Sequence, residues 1–357
     1  MMVYVHRYEQ LANKPVKFLL FIKKTLIPKK IDPPDKIILS FYEEIETGYI
    51  FELLADIKIT ETGKRQVRNE QMLKQLPHGK LKKYVSVADL IRGVHISFMT
   101  PDRIWVNDGR SLILTNSKGN NLHHIFDVSE LYGVHTVNSE GELIYVDKDW
   151  NINKLSADNT TKSTLIKRTE GWEPWCICHS ASTEDLVVMM RYDTRNPTIV
   201  LSDVKVIRYN SAVQPIQTIQ YHKTGEPLYD EPAYITENRN GDIVVSDRVK
   251  GVVVTDREGK YRFTYIRPEG WSFAKFMPCG ICVDAFFNIL ISCVLDCTIH
   301  RIKKDGHLLS ITATAKDGVF DPLGLGYDEK NYLVLLGSDN KNILSVYRST
   351  ERQDYLA

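Results

Sequence analysis

Cysteine is scarce in this sequence and comes late: there are six in 357 residues, and the first is Cys176. No Cys/His cluster of zinc-binding spacing can therefore exist before that point. Long apolar runs are also missing. The densest N-terminal one, Val16 to Ile22, is flanked and interrupted by lysines and is far too short to cross a bilayer. The first eleven residues lack the basic and apolar regions of a signal peptide. A dominant charge is absent as well, because the net charge is only +1, which weighs against binding a polyanion by bulk electrostatics. No G-x-S-x-G elbow, Gly-rich phosphate loop, HExxH or HxxxH spacing occurs. What is left is a chain of ordinary apolar content, long enough to bury a large core.

Positive information begins at residues 232–266. Tyr234-Ile235-Thr236, Ile243 to Ser246, Val252 to Thr255 and Tyr261 to Ile266 read as four short strands. The turns between them carry Asn240-Gly241, then Asp256 and Gly259. Asn-Gly followed by a β-branched run is a hairpin signal, and four antiparallel strands in about 35 residues make one propeller blade. The unit recurs. From Ile235, an aliphatic residue follows at plus eight (Ile243) and Asp247 at plus twelve. Ile96 is followed by Ile104 and Asp108 at the same offsets, and His135 by Leu143 and Asp147. Ile281, Leu325 and, with one residue inserted, Ile177 open three further copies. Six copies predict an all-β, six-bladed β-propeller over residues 81–357. A β-sandwich with chance spacing is the weaker competitor.

Residues 1–80 read differently. Val16 to Ile22 predicts a short amphipathic helix stopped by Pro28, with a membrane-surface anchor as the weaker alternative. A Lys-Pro linker follows, and then a second helix over 37–54. Residues 61–76 suit helix or loop. At Tyr84 to Ala88 a strand appears with no hairpin partner nearby. The last repeat, at Leu323–Tyr327, Leu333–Leu336 and Ile343–Tyr347, is one strand short. The spare strand 84–88 is expected to complete that blade and close the ring, leaving no open edge.

Three groups of residues could carry chemistry. Asp108, Asp147 and Asp247 end second strands and could converge on Ca²⁺ at the channel, although each could instead bond the amides of its own turn. His95 and His135 begin different blades, whereas His123 and His124 fall on an outer strand, and the four have no metal spacing. Cys279-x-x-Cys282 with Cys293 and Cys297 has a zinc-like spacing, but the four straddle a strand and a loop. Thiols of this kind suit a reducing compartment and hence a cytoplasmic location.

The loops after second strands open on one face with Arg110, Lys148, Trp150, Arg191, Arg195, Arg248, Lys250 and Lys341. The loops leading into each blade bring Tyr132, Trp172, Trp175, Tyr229, Trp271 and Phe276 to the same face. Cations interleaved with aromatics can grip peptide side chains or stack unpaired bases.

The phrases EQLANKPVKFLLFIKK, PDRIWVND, LYGVHTVNSEGELIYVD, AYITENRNGDIVVSD and GVVVTDREGKYRFTY resemble the C-terminal half of tripartite-motif proteins with NHL repeats, over nearly the whole chain. The resemblance implies an NHL-type propeller preceded by the tail of a coiled-coil region, with oligomerisation expected only through a coiled coil that is missing here. It also implies a recognition half of a ubiquitin ligase. The zinc-bound RING and B-box modules of that family are not in this sequence, so ligase activity is expected only of longer relatives. The expected function is a non-enzymatic module that needs no cofactor and takes a protein target or RNA, with no DNA and no membrane. The alternative is a Ca²⁺-dependent propeller hydrolase using the channel carboxylates.

Overall fold

The computed structural model describes residues 58–59, 65–66, 73–192, 203–268, 275–339 and 342–352. The chain divides into two compact units, Met1–Arg68 and Asn69–Ala357. In the first, β1 (Lys58–Ile59) and β2 (Arg65–Gln66) form a short antiparallel pair. The helices expected near 16–22 and 37–54 lie outside the described residues. The segment 61–76, expected as helix or loop, instead supplies β2 and the start of the next strand.

The second unit is a six-bladed propeller. β3 (Leu73–Ser86) is held in reserve for the last blade. Blade 1 is β4 (His95–Thr100), β5 (Arg103–Asn107), β6 (Leu112–Thr115) and β7 (Asn121–Ile125). Blade 2 is β8 (His135–Val137), β9 (Leu143–Val146), β10 (Ile152–Leu155) and β11 (Lys162–Ile166). Blade 3 is β12 (Trp172–His179), β13 (Leu186–Tyr192), β14 (Val204–Tyr209) and β15 (Pro215–Ile219). Blade 4 is β16 (Pro232–Glu237), β17 (Ile243–Asp247), β18 (Gly251–Thr255) and β19 (Tyr261–Tyr265). Blade 5 is β20 (Pro278–Val283), β21 (Ile289–Cys293), β22 (Thr298–Ile302) and β23 (Leu308–Ala313). Blade 6 is β24 (Pro322–Asp328), β25 (Leu333–Ser338) and β26 (Ile343–Arg352), completed by β3.

Each sheet is an antiparallel meander, and the first strands pack in ring order, β4 against β8 and so on round to β24 against β4. Middle strands such as β17 and β18 are buried on both faces, as their unbroken β-branched runs require of a sheet sandwiched between two others. Outer strands such as β11 alternate less and face solvent. Core side chains therefore lie between blades, with Leu112, Leu143 and Ile177 of blades 1 to 3 in one cluster.

The closing strand is longer than the sequence suggests. β3 runs antiparallel to β26 from Ser86 opposite Ile343 to Leu73 opposite Arg352, with two register shifts. Its Val85 joins the core between blades 6 and 1, while Leu73 joins that between blades 5 and 6. Its free edge carries exposed Lys74, Lys80, Lys82 and Lys83, a charge pattern that discourages a further strand from adding. Buried Arg301 of β22 donates through Nη1 to the Leu76 carbonyl at 2.7 Å, tying this strand to blade 5.

Candidate functional site

The turn chemistry fixes which residues reach the channel mouth. Asp108 Oδ1 accepts from the amides of Arg110 and Ser111. Asp147 Oδ1 accepts from those of Asp149 and Asn151, and its Oδ2 from the Asn153 side chain. Asp247 accepts from Val249, Lys250 and Asp230. Each carboxylate is thus spent on shaping its own loop, the Asx-type behaviour that makes Asp a turn residue. Among the described residues, no three His, Cys, Asp or Glu side chains come together as a metal donor set. The residues present do not fit the Ca²⁺ site considered from sequence.

Among the described residues, the loops that carry these cations and aromatics open at one end of the blades, because His95 pairs with Asn107, Pro232 with Asp247 and Pro278 with Cys293. First strands therefore begin where second strands end. They do not form one open ring. Lys148 lies 3.7 Å from Asp127, and Lys250 donates to the Pro227 carbonyl. Arg191 covers the Trp175 ring at 4.6 Å, and that ring stacks on Trp150 at 6.4 Å. Trp172 is covered by Lys205 at 3.5 Å. Tyr229 is buried, Phe276 meets the Tyr265 ring edge-on at 5.6 Å, and Arg110 is exposed at the tip of its turn. Arg195, Trp271 and Lys341 lie outside the described residues.

At the inner ends of the first strands a different group assembles. The His95 and His135 rings are 4.4 Å apart. Tyr234 meets His95 edge-on at 5.6 Å and donates its hydroxyl to the Val94 carbonyl. Tyr132 lies 6.1 Å from Tyr234, and the Arg248 guanidinium sits 4.1 Å over the Tyr132 ring. Across the mouth Arg92 reaches Asp339 at 3.4 Å and the Asp108 carbonyl at 3.1 Å.

Electrostatics follow from burial. Desolvation lowers His95 to about 4 and His135 well below its usual value, His95 adding to the effect on His135. Both are neutral at pH 7. His95 Nδ1 and both nitrogens of His135 are buried without a hydrogen bond of normal geometry, the Trp105 backbone being the near neighbour of His135. Burial opposes the charge on Arg248, but Tyr132, Cys279 and Tyr234 outweigh it, and the guanidinium stays protonated. Burial pushes the Cys279 thiol up to about 11, so it is no nucleophile at neutral pH.

A neighbouring network is complete in itself. Tyr265 Oη lies 2.8 Å from His300 Nδ1, His300 Nε2 lies 3.0 Å from Thr298, and Thr298 donates to Asp296 at 2.8 Å. With every member paired, it holds the seam of blades 4 and 5.

Comparison with known proteins places the architecture. No family model matches the chain, and no curated protein matches it. A gluconolactonase from Xanthomonas campestris superposes with TM-score 0.54 at 13% identity, covering 77% of this chain and 95% of that one. A gluconolactonase-like protein gives 0.56 at 14%, covering 76% and 93%. Virginiamycin B lyase from Staphylococcus aureus gives 0.52 at 12%, covering 75% and 99%. The chain is a six-bladed β-propeller. The expectation of a non-enzymatic recognition module is corrected on this finding, since these solved propellers of matching shape carry enzyme names. The physical ground of that expectation also weakens, because the face cations are largely engaged with their own neighbours rather than free. The tripartite-motif resemblance is not supported by any of these matches. Among the described residues no helix is long and apolar enough to cross a membrane.

Proposed function

We propose that this propeller is a hydrolase that opens a small cyclic ester at the mouth of its channel. The observation that carries the reading is the His95–His135 pair: two neutral imidazoles in contact, in which three ring nitrogens lack a hydrogen bond of normal geometry although the Trp105 backbone lies near His135. A buried polar atom without a partner calls for an explanation, and a bound water or ligand is one. A neutral imidazole can take a proton from an attacking water. The water oxygen bonds to the ester carbon, the ring C–O bond breaks, and the proton passes to the leaving alkoxide. The product is one hydroxy acid. The ester class is suggested by the name of the Xanthomonas neighbour. An NHL type for the blades, proposed from the phrases quoted above, is compatible with this chemistry and does not supply it.

The test is titration of acid released from a panel of small lactones. His95→Asn and His135→Asn are each expected to cut turnover by roughly 10²–10⁴-fold, the usual worth of a positioned acid–base group. Wild-type turnover in both variants, or no turnover of any lactone by the folded wild type, would sink the reading.

A further inference from the structure

Arg248 stands at the channel mouth, as Arg92 does, but without the acid that Arg92 has. It leaves β17 immediately after Asp247, whose carboxylate is committed to the amides of Val249, Lys250 and Asp230. The residue is half-buried, and its guanidinium lies over the Tyr132 ring at 4.1 Å. Its Nε is buried and has no hydrogen-bond partner. No carboxylate among the described residues lies within ion-pair distance of it. Asp339, across the mouth, is engaged by Arg92 at 3.4 Å. More deeply buried cations of the protein do have acids: Arg208 meets Asp185 at 3.2 Å and Glu237 at 2.6 Å, and Arg301 has Asp284 at 3.6 Å.

A partly desolvated guanidinium is costly to leave without an anion. Here the guanidinium is held by the Tyr132 ring and by side-chain hydrogen bonds to Tyr132 and Cys279, which leaves the Nε edge preorganised. A guanidinium edge is a planar fork that matches a carboxylate bidentately. The Tyr234 ring stands between this fork and His95, which separates the anion from the imidazoles.

We propose that Arg248 is the anchor of a carboxylate-binding subsite at the channel mouth, and that the natural ligand is a small molecule bearing a carboxylate at the end away from the imidazole pair. The inference rests on the channel mouth being a substrate site, as proposed above. It adds a ligand class that ring opening alone does not require, since a neutral lactone has no permanent charge.

Calorimetric titration of the whole chain with four- to six-carbon hydroxycarboxylates and their neutral methyl esters tests it. The wild type is expected to prefer the carboxylates by at least about tenfold. Arg248→Gln is expected to lose that preference while melting as the wild type does, and Arg248→Lys to keep part of it. Equal affinity for acid and ester in the wild type overturns the proposal. So does a preference that survives Arg248→Gln, or inorganic phosphate binding as tightly as the carboxylates. If the carboxylate preference holds in His95→Asn while no lactone is turned over by the wild type, the subsite stands and the ring-opening reading falls.

Discussion

His95 and His135 differ by one step in repeat register, since His135 occupies the place that Ile96 holds in blade 1. Strand alternation puts such residues on opposite faces of their own sheets. In a propeller that offset is what brings them together, because the face of one blade that looks forward meets the backward face of the next. The same burial that keeps them neutral has a price in acid. His95 and His300 each fall to about 4 from 6.5. Below pH 6.5 the unfolded chain binds protons that the folded chain refuses, so stability is full above that pH and declines as pH drops toward 4. His300 is fully buried, and its shift corresponds to roughly 3 kcal/mol across that window. The melting temperature is expected to fall steeply between pH 6.5 and 4, and the fall to flatten in His300→Gln. A flat wild-type profile would show that these rings titrate normally. The two histidines were visible in the sequence as blade openers. Their convergence was not, because spacing gives each strand its own register but not the facing of neighbours.

Among the elements, the blades were the easiest to read. The eight-and-twelve offsets, with Asn-Gly and Asp-x-x-Gly turns, placed β16 to β19 within two residues of where they lie. The closing strand was legible only at its C-terminal end. Tyr84 to Ala88 alternates cleanly, but Leu73 to Lys83 contains Pro77, Gly79 and four lysines, and two register shifts break its period. A strand that is both an edge and bulged carries little of the pattern that identifies strands. The seam it helps to seal is also narrow. A Cβ on Gly337 would meet the Gly93 carbonyl oxygen at 2.2 Å, with backbone on both sides. Gly337→Ala is therefore expected to cost about 1–3 kcal/mol, the range for overpacking. Thermal unfolding would register that as a drop of several degrees, and an unchanged midpoint would mean that β25 and the loop before β4 can separate without penalty.

At the scale of the whole molecule the ring has no internal substitute for β3. Without it, ten residues of β26 would expose an unpaired edge, a template for association with another chain. A chain starting at residue 90 is expected to run as dimers or larger species in light scattering, where the longer chain is monomeric or less associated. A truncated chain that stayed monomeric with the same melting temperature would remove the closing strand's role. The number of blades was fixed by counting anchors, whereas the composition of the mouth was not countable. It depends on which loop cations find neighbours, and Lys148 with Asp127, or Lys250 with the Pro227 carbonyl, pair through local turns that a repeat does not encode.

The partner of β3 is the final described strand, with Ser86 opposite Ile343 and Leu73 opposite Arg352 far downstream. During synthesis the ribosome must deliver five whole blades before the clasp can fasten. Throughout that wait the early ribbon has to stay unpaired without recruiting a stranger, and its row of lysines reads as the guard on that interval.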